Sequence, residues 1–152
     1  GSMVIGNSGS GTIFVDESFV DEVSIVQSGS GTIEAAVLYE PSDVSIHHSS
    51  SGKIRSAVED GLFLEGVLSG SGRIDLTGEV VEARYSLSSS GRIDALELMA
   101  RDVRATSSGS GKIYVYATES LEATITGSGD IIYRGDPAIS YRITGTGDVR
   151  HY

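Results

Sequence analysis

The sequence contains no cysteine and no tryptophan, and only 2 of its 152 residues are proline. The lack of cysteine excludes disulfides, thiol nucleophiles and thiolate metal sites. No apolar run approaches the roughly 18 residues that a membrane-spanning helix needs. Basic residues are also scarce, since 11 Lys and Arg stand against 21 Asp and Glu and give a net charge of −10. This charge argues against nucleic-acid binding and against docking on anionic lipid.

The length fits a single domain. Gly1 and Ser2 before Met3 are typical of a cloning remnant. We therefore expect residues 1–3 to precede one domain that covers residues 4–152. No signal-peptide pattern is present in this chain.

Glycine, in contrast, is abundant, and most of the 20 glycines belong to one repeated motif. The motif reads Ser-Gly-Ser-Gly-Thr-Ile at residues 8–13 and 28–33 and recurs in six varied copies, such as Ser-Ser-Ser-Gly-Lys-Ile at 49–54, with 18 to 21 residues from one copy to the next. We expect its second glycine to form a structural corner, because glycine reaches backbone angles that other residues avoid. These corner glycines are Gly11, Gly31, Gly52, Gly72, Gly91, Gly111, Gly129 and Gly147.

The residues between the corners alternate between apolar and polar, and Ile or Val stands two residues after each corner glycine. Alternation with period two predicts strands, and a repeat of this length is typical of one coil of a parallel β-helix. Coils stack about 4.8 Å apart, so the isoleucines should pack in one column. The sequence predicts an all-β, single-stranded, right-handed parallel β-helix of about seven coils. The alternative is a β-sandwich or barrel built from hairpins.

Four basic residues follow corner glycines directly, namely Lys53, Arg73, Arg92 and Lys112. Asp75 and Asp94 stand two residues further on in adjacent coils, so we expect their carboxylates about 5 Å apart. Paired carboxylates perform acid–base chemistry in polysaccharide enzymes, but an exposed lattice of compensating charges is the simpler interpretation. We therefore predict no catalytic residue. These six side chains form a candidate ligand-binding face for an acidic polysaccharide.

Other candidate sites are weaker. Asp130 and Asp148 follow the last two corner glycines, as in calcium-binding β-rolls, but the nine-residue repeat of those proteins is absent. We expect these aspartates to accept backbone N–H groups. His47 and His48 point to opposite sides of a strand and cannot share a metal ion, and we expect His48 to be buried with a hydrogen bond. The sequence predicts no metal site and no cofactor.

Three motifs lie close together near the C-terminal end: Thr-Glu-Ser-Leu at residues 118–121, Gly-Ser-Gly-Asp at 127–130 and Tyr-Arg-Gly-Asp-Pro at 133–137. This stretch closely resembles the C-terminal part of the putative auto-transporter adhesin, head GIN domain family of bacterial envelope proteins. The resemblance implies an extracytoplasmic location, on the cell surface, anchored to the outer membrane or in the periplasm. It also implies a role in adhesion or structure, and it brings no catalytic residues with it.

The ends of a β-helix expose unpaired backbone groups, and the sequence contains no amphipathic helix that would cap them. We expect another subunit or another domain to cover an end, which predicts a homo-oligomer formed through the coil ends. The expected function is that of a non-catalytic envelope module, an adhesin or structural domain with a protein or glycan partner at the cell surface. We expect no nucleic-acid partner and no membrane insertion. The alternative is a carbohydrate-binding or carbohydrate-active β-helix that acts on an acidic polysaccharide.

Overall fold

The computed structural model describes all residues, Gly1–Tyr152, and forms one 13-stranded sheet. It contains no helix, and hence none that could cross a membrane. All strand pairs are parallel, and the chain winds into a β-solenoid of about eight turns. The predicted parallel β-helix is confirmed, with one turn more than expected. The strands are β1 (Ser2–Asn7), β2 (Thr12–Val15), β3 (Ser18–Phe19), β4 (Glu22–Gln27), β5 (Thr32–Tyr39), β6 (Asp43–His48), β7 (Lys53–Leu68), β8 (Arg73–Leu87), β9 (Arg92–Ser107), β10 (Lys112–Ile125), β11 (Ile131–Arg134), β12 (Ala138–Ile143) and β13 (Val149–His151).

Each turn has two faces, which meet at the corner glycine. We call the stretch before this glycine face A and the stretch after it face B. In β7 to β10 a single strand of 14 to 16 residues carries face B and then face A of the next turn. β1 already begins at Ser2, and Met3 packs against the core. The cloning remnant and the domain bounds stay predictions.

Two connections join the faces. The Ser-Gly corner consists of residues 8–11, 28–31, 49–52, 69–72, 88–91, 108–111, 126–129 and 144–147. The opposite edge consists of residues 16–22, 36–43, 57–63, 77–82, 96–102, 116–120 and 134–138.

The core is a set of columns that run along the solenoid axis. The isoleucine column predicted from the repeat is present, because Ile33, Ile54 and Ile74 pair in register and each is fully buried. A second column contains side chains of different size, since Gly66 lies beside the bulky Tyr85 of the next turn. Isoleucine stacks well on isoleucine, and a small residue at position 66 leaves room for the tyrosine ring.

A third column begins with polar side chains and continues with leucine. The Nδ2 of Asn7 donates to the carbonyl of Gly11, and the Nε2 of Gln27 donates to that of Gly31. His48 is buried and its Nε2 lies 2.6 Å from the carbonyl oxygen of Gly52, as expected from the sequence. Leu68 and Leu87 occupy the same position in the following turns.

The corner glycines are required for a different reason from the predicted one. None of them has a positive φ; the positive-φ glycines of the chain are Gly78 and Gly135, both on the opposite edge. A Cβ on Gly111 would instead lie 2.0 Å from the carbonyl oxygen of Gly91 in the preceding turn. The Lys112 N–H also donates to that carbonyl. Glycine is therefore needed because the backbones of successive turns touch at the corner.

Candidate ligand-binding face

The candidate site lies on the outer surface of face B. The isoleucine two residues after each corner glycine points inward, so the residues one and three positions after the glycine point outward. The first outward column contains Lys53, Arg73, Arg92 and Lys112, in register on adjacent turns. The second contains Asp75 and Asp94, also in register. The structure thus brings the predicted residues together in two neighbouring columns.

Ion pairs tie the two columns to each other. The Nε of Arg73 donates to Asp75 at 2.6 Å, and a terminal nitrogen of the same guanidinium lies 3.4 Å from Asp94 of the next turn. Arg92 approaches Asp94 at 3.1 Å, and the ammonium of Lys53 approaches Asp75 at 3.5 Å. Each aspartate therefore has two basic neighbours. The geometry matches the compensated charge lattice of the simpler interpretation.

The lattice fixes the basic side chains in place. The hydrogen bond to Asp75 raises the pKa of the Arg73 guanidinium above its usual range. Arg92 lies over the ring of Tyr114 of the next turn, with its Cζ 4.2 Å from the ring centroid. This is a cation–π geometry. Arg73 is therefore held by two carboxylates, and Arg92 by a carboxylate and an aromatic ring.

A polar groove of about 510 Å³ runs along the solenoid axis beside these columns. Lys53, Arg73 and Arg92 line it together with hydroxyl groups. No hydrophobic residue contributes to the groove. The hydroxyl groups come from Ser30, Thr32, Ser51, Ser71 and Ser90. Hydroxyl and basic groups can both hydrogen-bond an anionic, oxygen-rich ligand.

One of the six predicted residues lies apart from the others, and two residues that were not predicted join the same face. Lys112 lies outside the groove and makes no ion pair in the chain. Arg55 occupies the Asp75 column, between Glu34 and Asp75, and Tyr114 continues that column after Asp94. Both stand three residues after a corner glycine. Counting this offset in every repeat would have found them.

The two aspartates beside the last corners differ from each other. Asp130 accepts a hydrogen bond from the Asp148 backbone N–H at 3.0 Å and pairs with Arg150 at 3.2 Å. The expected role as a backbone acceptor is confirmed for Asp130, whereas the side chain of Asp148 makes no such bond. His47 is exposed and His48 is buried, so they point to opposite sides as expected. The chain contains no cluster of three or more side chains arranged to hold a metal ion.

The family of this chain follows from its similarity to known proteins. Residues 42–137 match the family model described as "Putative auto-transporter adhesin, head GIN domain". The chain belongs to this family. The resemblance inferred from residues 118–137 is thereby confirmed. None of the curated proteins compared with this GIN-family chain matches it significantly in sequence.

Solved structures share the fold. A putative lipid binding protein from Parabacteroides distasonis has a TM-score of 0.77 and 30% identity, over 99% of this chain and 61% of that one. A putative adhesin from the same organism has a TM-score of 0.78 and 27% identity, over 98% of this chain and 63% of that one. A putative adhesin from Bacteroides fragilis, at 20% identity and a TM-score of 0.74, covers 99% of this chain and 91% of its own length. The GIN-family chain spans about three fifths of the length of the first two.

Proposed function

We propose that this chain is a non-catalytic β-solenoid module of the bacterial cell envelope that acts at the cell surface, as an adhesin or a structural interaction domain. Membership of the GIN family over residues 42–137 carries the proposal, and the likeness to a putative adhesin at 27% identity supports it. The outer surface of face B also suits this role. It repeats the same polar chemistry on successive turns, and repeated weak sites favour multivalent contact.

The arrangement of Asp75 and Asp94 supports a non-catalytic role. A carboxyl group that serves as a general acid needs surroundings that favour its neutral form. Asp75 instead contacts Arg73 and Lys53, and Asp94 contacts Arg92 and Arg73. We expect no new reducing ends when the purified chain is incubated with polygalacturonate. Release of reducing ends that disappears with Asp75→Asn would contradict the proposal.

The cellular part of the proposal is tested on intact bacteria. Antibodies raised against the purified chain should label unpermeabilised cells of the source bacterium, and external protease should remove the signal. Cells that lack the gene should adhere less to surfaces that the parent strain colonises. Labelling only after permeabilisation of the outer membrane would contradict a surface role.

A second candidate function is the binding of an acidic polysaccharide in the groove. It is supported by Lys53, Arg73 and Arg92, whose basic side chains line the groove together with hydroxyl groups from successive turns. The aspartates compete for the same cations, so binding should be weak and sensitive to salt.

Heparin and polygalacturonate resins serve as probes, with neutral dextran as the blank. We expect retention at low salt that falls as salt is added and is strongly reduced in Arg73→Glu. Lys112→Glu is the matched control, because it changes the same charge outside the groove. Equal losses in both variants would indicate a general charge effect, and no retention of the wild type would leave a protein partner as the ligand class.

A further inference from the structure

The opposite edge exposes two large apolar side chains in interior turns of the solenoid, which have other turns stacked on both sides. Leu62 is 57% exposed and Val81 is 38% exposed. They lie side by side on adjacent turns, because the pairs that flank them, Gly61 with Val80 and Phe63 with Glu82, are in register. Leu62 and Val81 are called the apolar pair below.

The charges around the apolar pair are all of one sign. The opposite edge as a whole contains 14 of the 21 acidic residues and 2 of the 11 basic ones. Residues 36–43, 57–63 and 77–82, which we call the acidic edge, contain six acidic residues and no basic one. The six are Glu40, Asp43, Glu59, Asp60, Glu79 and Glu82. Five of them are exposed without an ion pair, and Glu82 contacts Arg84 of face A at 3.4 Å.

The acidic edge is not built for the stability of a single chain. Unpaired carboxylates on neighbouring turns repel each other. Glu40 and Asp60 also carry the two positive φ angles found outside glycine, 52° and 55°. Like-charge repulsion and backbone strain both lower the free energy of unfolding, and such features concentrate where a protein binds a partner.

The chemistry of the edge restricts the partner. Anionic lipid and acidic polysaccharide are repelled by it, and a lone metal ion would leave the apolar pair uncovered. A second copy would bring few free cations, since eight of the 11 Lys and Arg already pair within the chain. A polypeptide segment that carries Lys or Arg beside apolar side chains complements both features of the edge.

We propose that the acidic edge docks a basic, partly apolar segment of another protein. The cations of the partner would pair with the free carboxylates, and its apolar side chains would cover Leu62 and Val81. The proposal rests on the role of the chain as an interaction module and names a second binding surface for it. This surface lies across the solenoid from the groove, which is lined by residues of the Ser-Gly corner and the start of face B, so both can be occupied together.

Two labelled peptides of equal charge serve as probes, one of alternating Lys and Leu and one of alternating Lys and Ser. Fluorescence anisotropy with the purified chain gives their affinities. We expect the Lys–Leu peptide to bind about tenfold more tightly, because only this peptide covers the apolar pair, and both to weaken as salt is added. Leu62→Ser should lose most of this preference. Val26→Ser is the matched control, because Val26 is 41% exposed on face A, and it should keep the preference.

The carboxylates are tested with two triple variants that change the net charge equally. The edge variant neutralises three free carboxylates of the acidic edge: Glu59→Gln, Asp60→Asn and Glu79→Gln. The control variant neutralises three unpaired carboxylates elsewhere: Glu34→Gln, Glu65→Gln and Asp148→Asn. Thermal unfolding checks that both variants fold. We expect the edge variant to bind the Lys–Leu peptide about tenfold more weakly than the control variant does.

Three results would overturn the proposal: equal affinity of the wild type for the two peptides, equal loss of preference in Leu62→Ser and Val26→Ser, or equal affinity of the two triple variants. Arg73→Glu, which disables the groove, should not weaken peptide binding. Peptide binding to the purified chain and antibody labelling of intact cells can fail separately, so the docking surface and the cellular role are tested independently.

Discussion

The Ser-Gly corner and the opposite edge join the same two faces, yet only the opposite edge varies in length. Across the corner, the first inward residue of face A precedes the corner glycine by eight residues in every turn, as Val23 precedes Gly31. Across the opposite edge, the distance from corner glycine to the next inward residue ranges from ten residues, Gly111 to Leu121, to thirteen, Gly31 to Val44. The register shifts in strand pairing occur at or beside this edge.

The two edges also use different backbone conformations. At the corner, stacked backbones touch and leave no room for a Cβ, although no corner residue has a positive φ. The four residues with a positive φ all lie on the opposite edge: Glu40, Asp60, Gly78 and Gly135. Close backbone approach also occurs on the opposite edge, since a Cβ on Gly78 would lie 1.8 Å from the Val58 carbonyl oxygen. The corner differs because the same contact recurs in every turn from Gly31 onward, and this recurrence fixes its length. Bulges and left-handed residues let the opposite edge absorb extra residues.

The largest effect is expected from a methyl group in an interior corner. Gly111→Ala places a Cβ 2.0 Å from the Gly91 carbonyl oxygen, so two turns must move apart. We expect a loss of at least about 3 kcal/mol in the free energy of unfolding, measured by denaturant titration. Gly66→Ala is the control, because its Cβ would make an ordinary 3.4 Å contact with the Tyr85 ring. Equal losses in the two variants would contradict a special role for the corner.

The next largest loss of stability is expected at His48, which lies on the inner side of a corner and contacts the Gly52 carbonyl. His48→Ala empties a buried position and should cost about 2 to 4 kcal/mol, as other large-to-alanine core changes do. His48→Leu should stay within about 1 kcal/mol of the wild type, because leucine fills this column at positions 68 and 87 and the Gly52 carbonyl keeps its bond from the Arg73 N–H. Chemical unfolding of both variants gives the comparison. If His48→Leu and His48→Ala lost the same free energy of unfolding, the histidine would stabilise the fold through its hydrogen bond rather than through packing.

Tyr85 tests the core of face A. Its hydroxyl is buried and has no hydrogen-bond partner, so Tyr85→Phe should leave stability unchanged or raise it by up to about 1 kcal/mol.

The same change has a pH signature. Burial raises the pKa of the Tyr85 phenol above its ordinary value of 10.0, so the unfolded chain ionises first as the pH rises. Wild-type stability should therefore fall relative to the Phe variant above pH 10 and not below it. A difference in unfolding free energy that stays constant from neutral pH to beyond pH 10 would contradict this.

The smallest effect is expected on the opposite edge. Glu40 is exposed and has a φ of 52°, a conformation that suits glycine better. Glu40→Gly should raise the free energy of unfolding by up to about 1 kcal/mol, whereas Glu40→Ala should not, because alanine keeps the left-handed strain. Thermal unfolding of the two variants distinguishes them. An equal rise in the free energy of unfolding for Glu40→Ala and Glu40→Gly would show that the charge of Glu40, and not its backbone conformation, is responsible.

The sequence was sufficient to predict the solenoid, because a repeat exposes its own period and the isoleucine column follows from it. The role of the corner glycines was not predictable, since recurrence at Gly111 does not reveal whether backbone angle or close approach requires glycine. Nothing in the sequence indicates that Glu40 and Asp60 adopt a left-handed backbone conformation. The pairing of Gly66 with Tyr85 likewise depends on which turns lie side by side.

The candidate site was also predictable only in part. The offset from the corner glycine predicted that Arg73 and Arg92 share one column and that Asp75 and Asp94 share the next. It did not predict that Arg73 contacts both aspartates, because that depends on side-chain conformation. Nor did it predict that the groove ends at Arg92 and leaves Lys112 outside.

The contrast between the two edges is tested most directly by inserting one alanine at each. One variant carries it in the corner, between Ser89 and Ser90; the other carries it on the opposite edge, between the exposed residues Thr118 and Glu119. The second insertion lengthens a ten-residue connection to the eleven residues already present between Gly72 and Ala83. We predict that equilibrium unfolding shows a loss of several kcal/mol for the corner insertion and less than about 1 kcal/mol for the other. Equal losses would contradict the claim that the corner has a fixed length whereas the opposite edge can absorb extra residues.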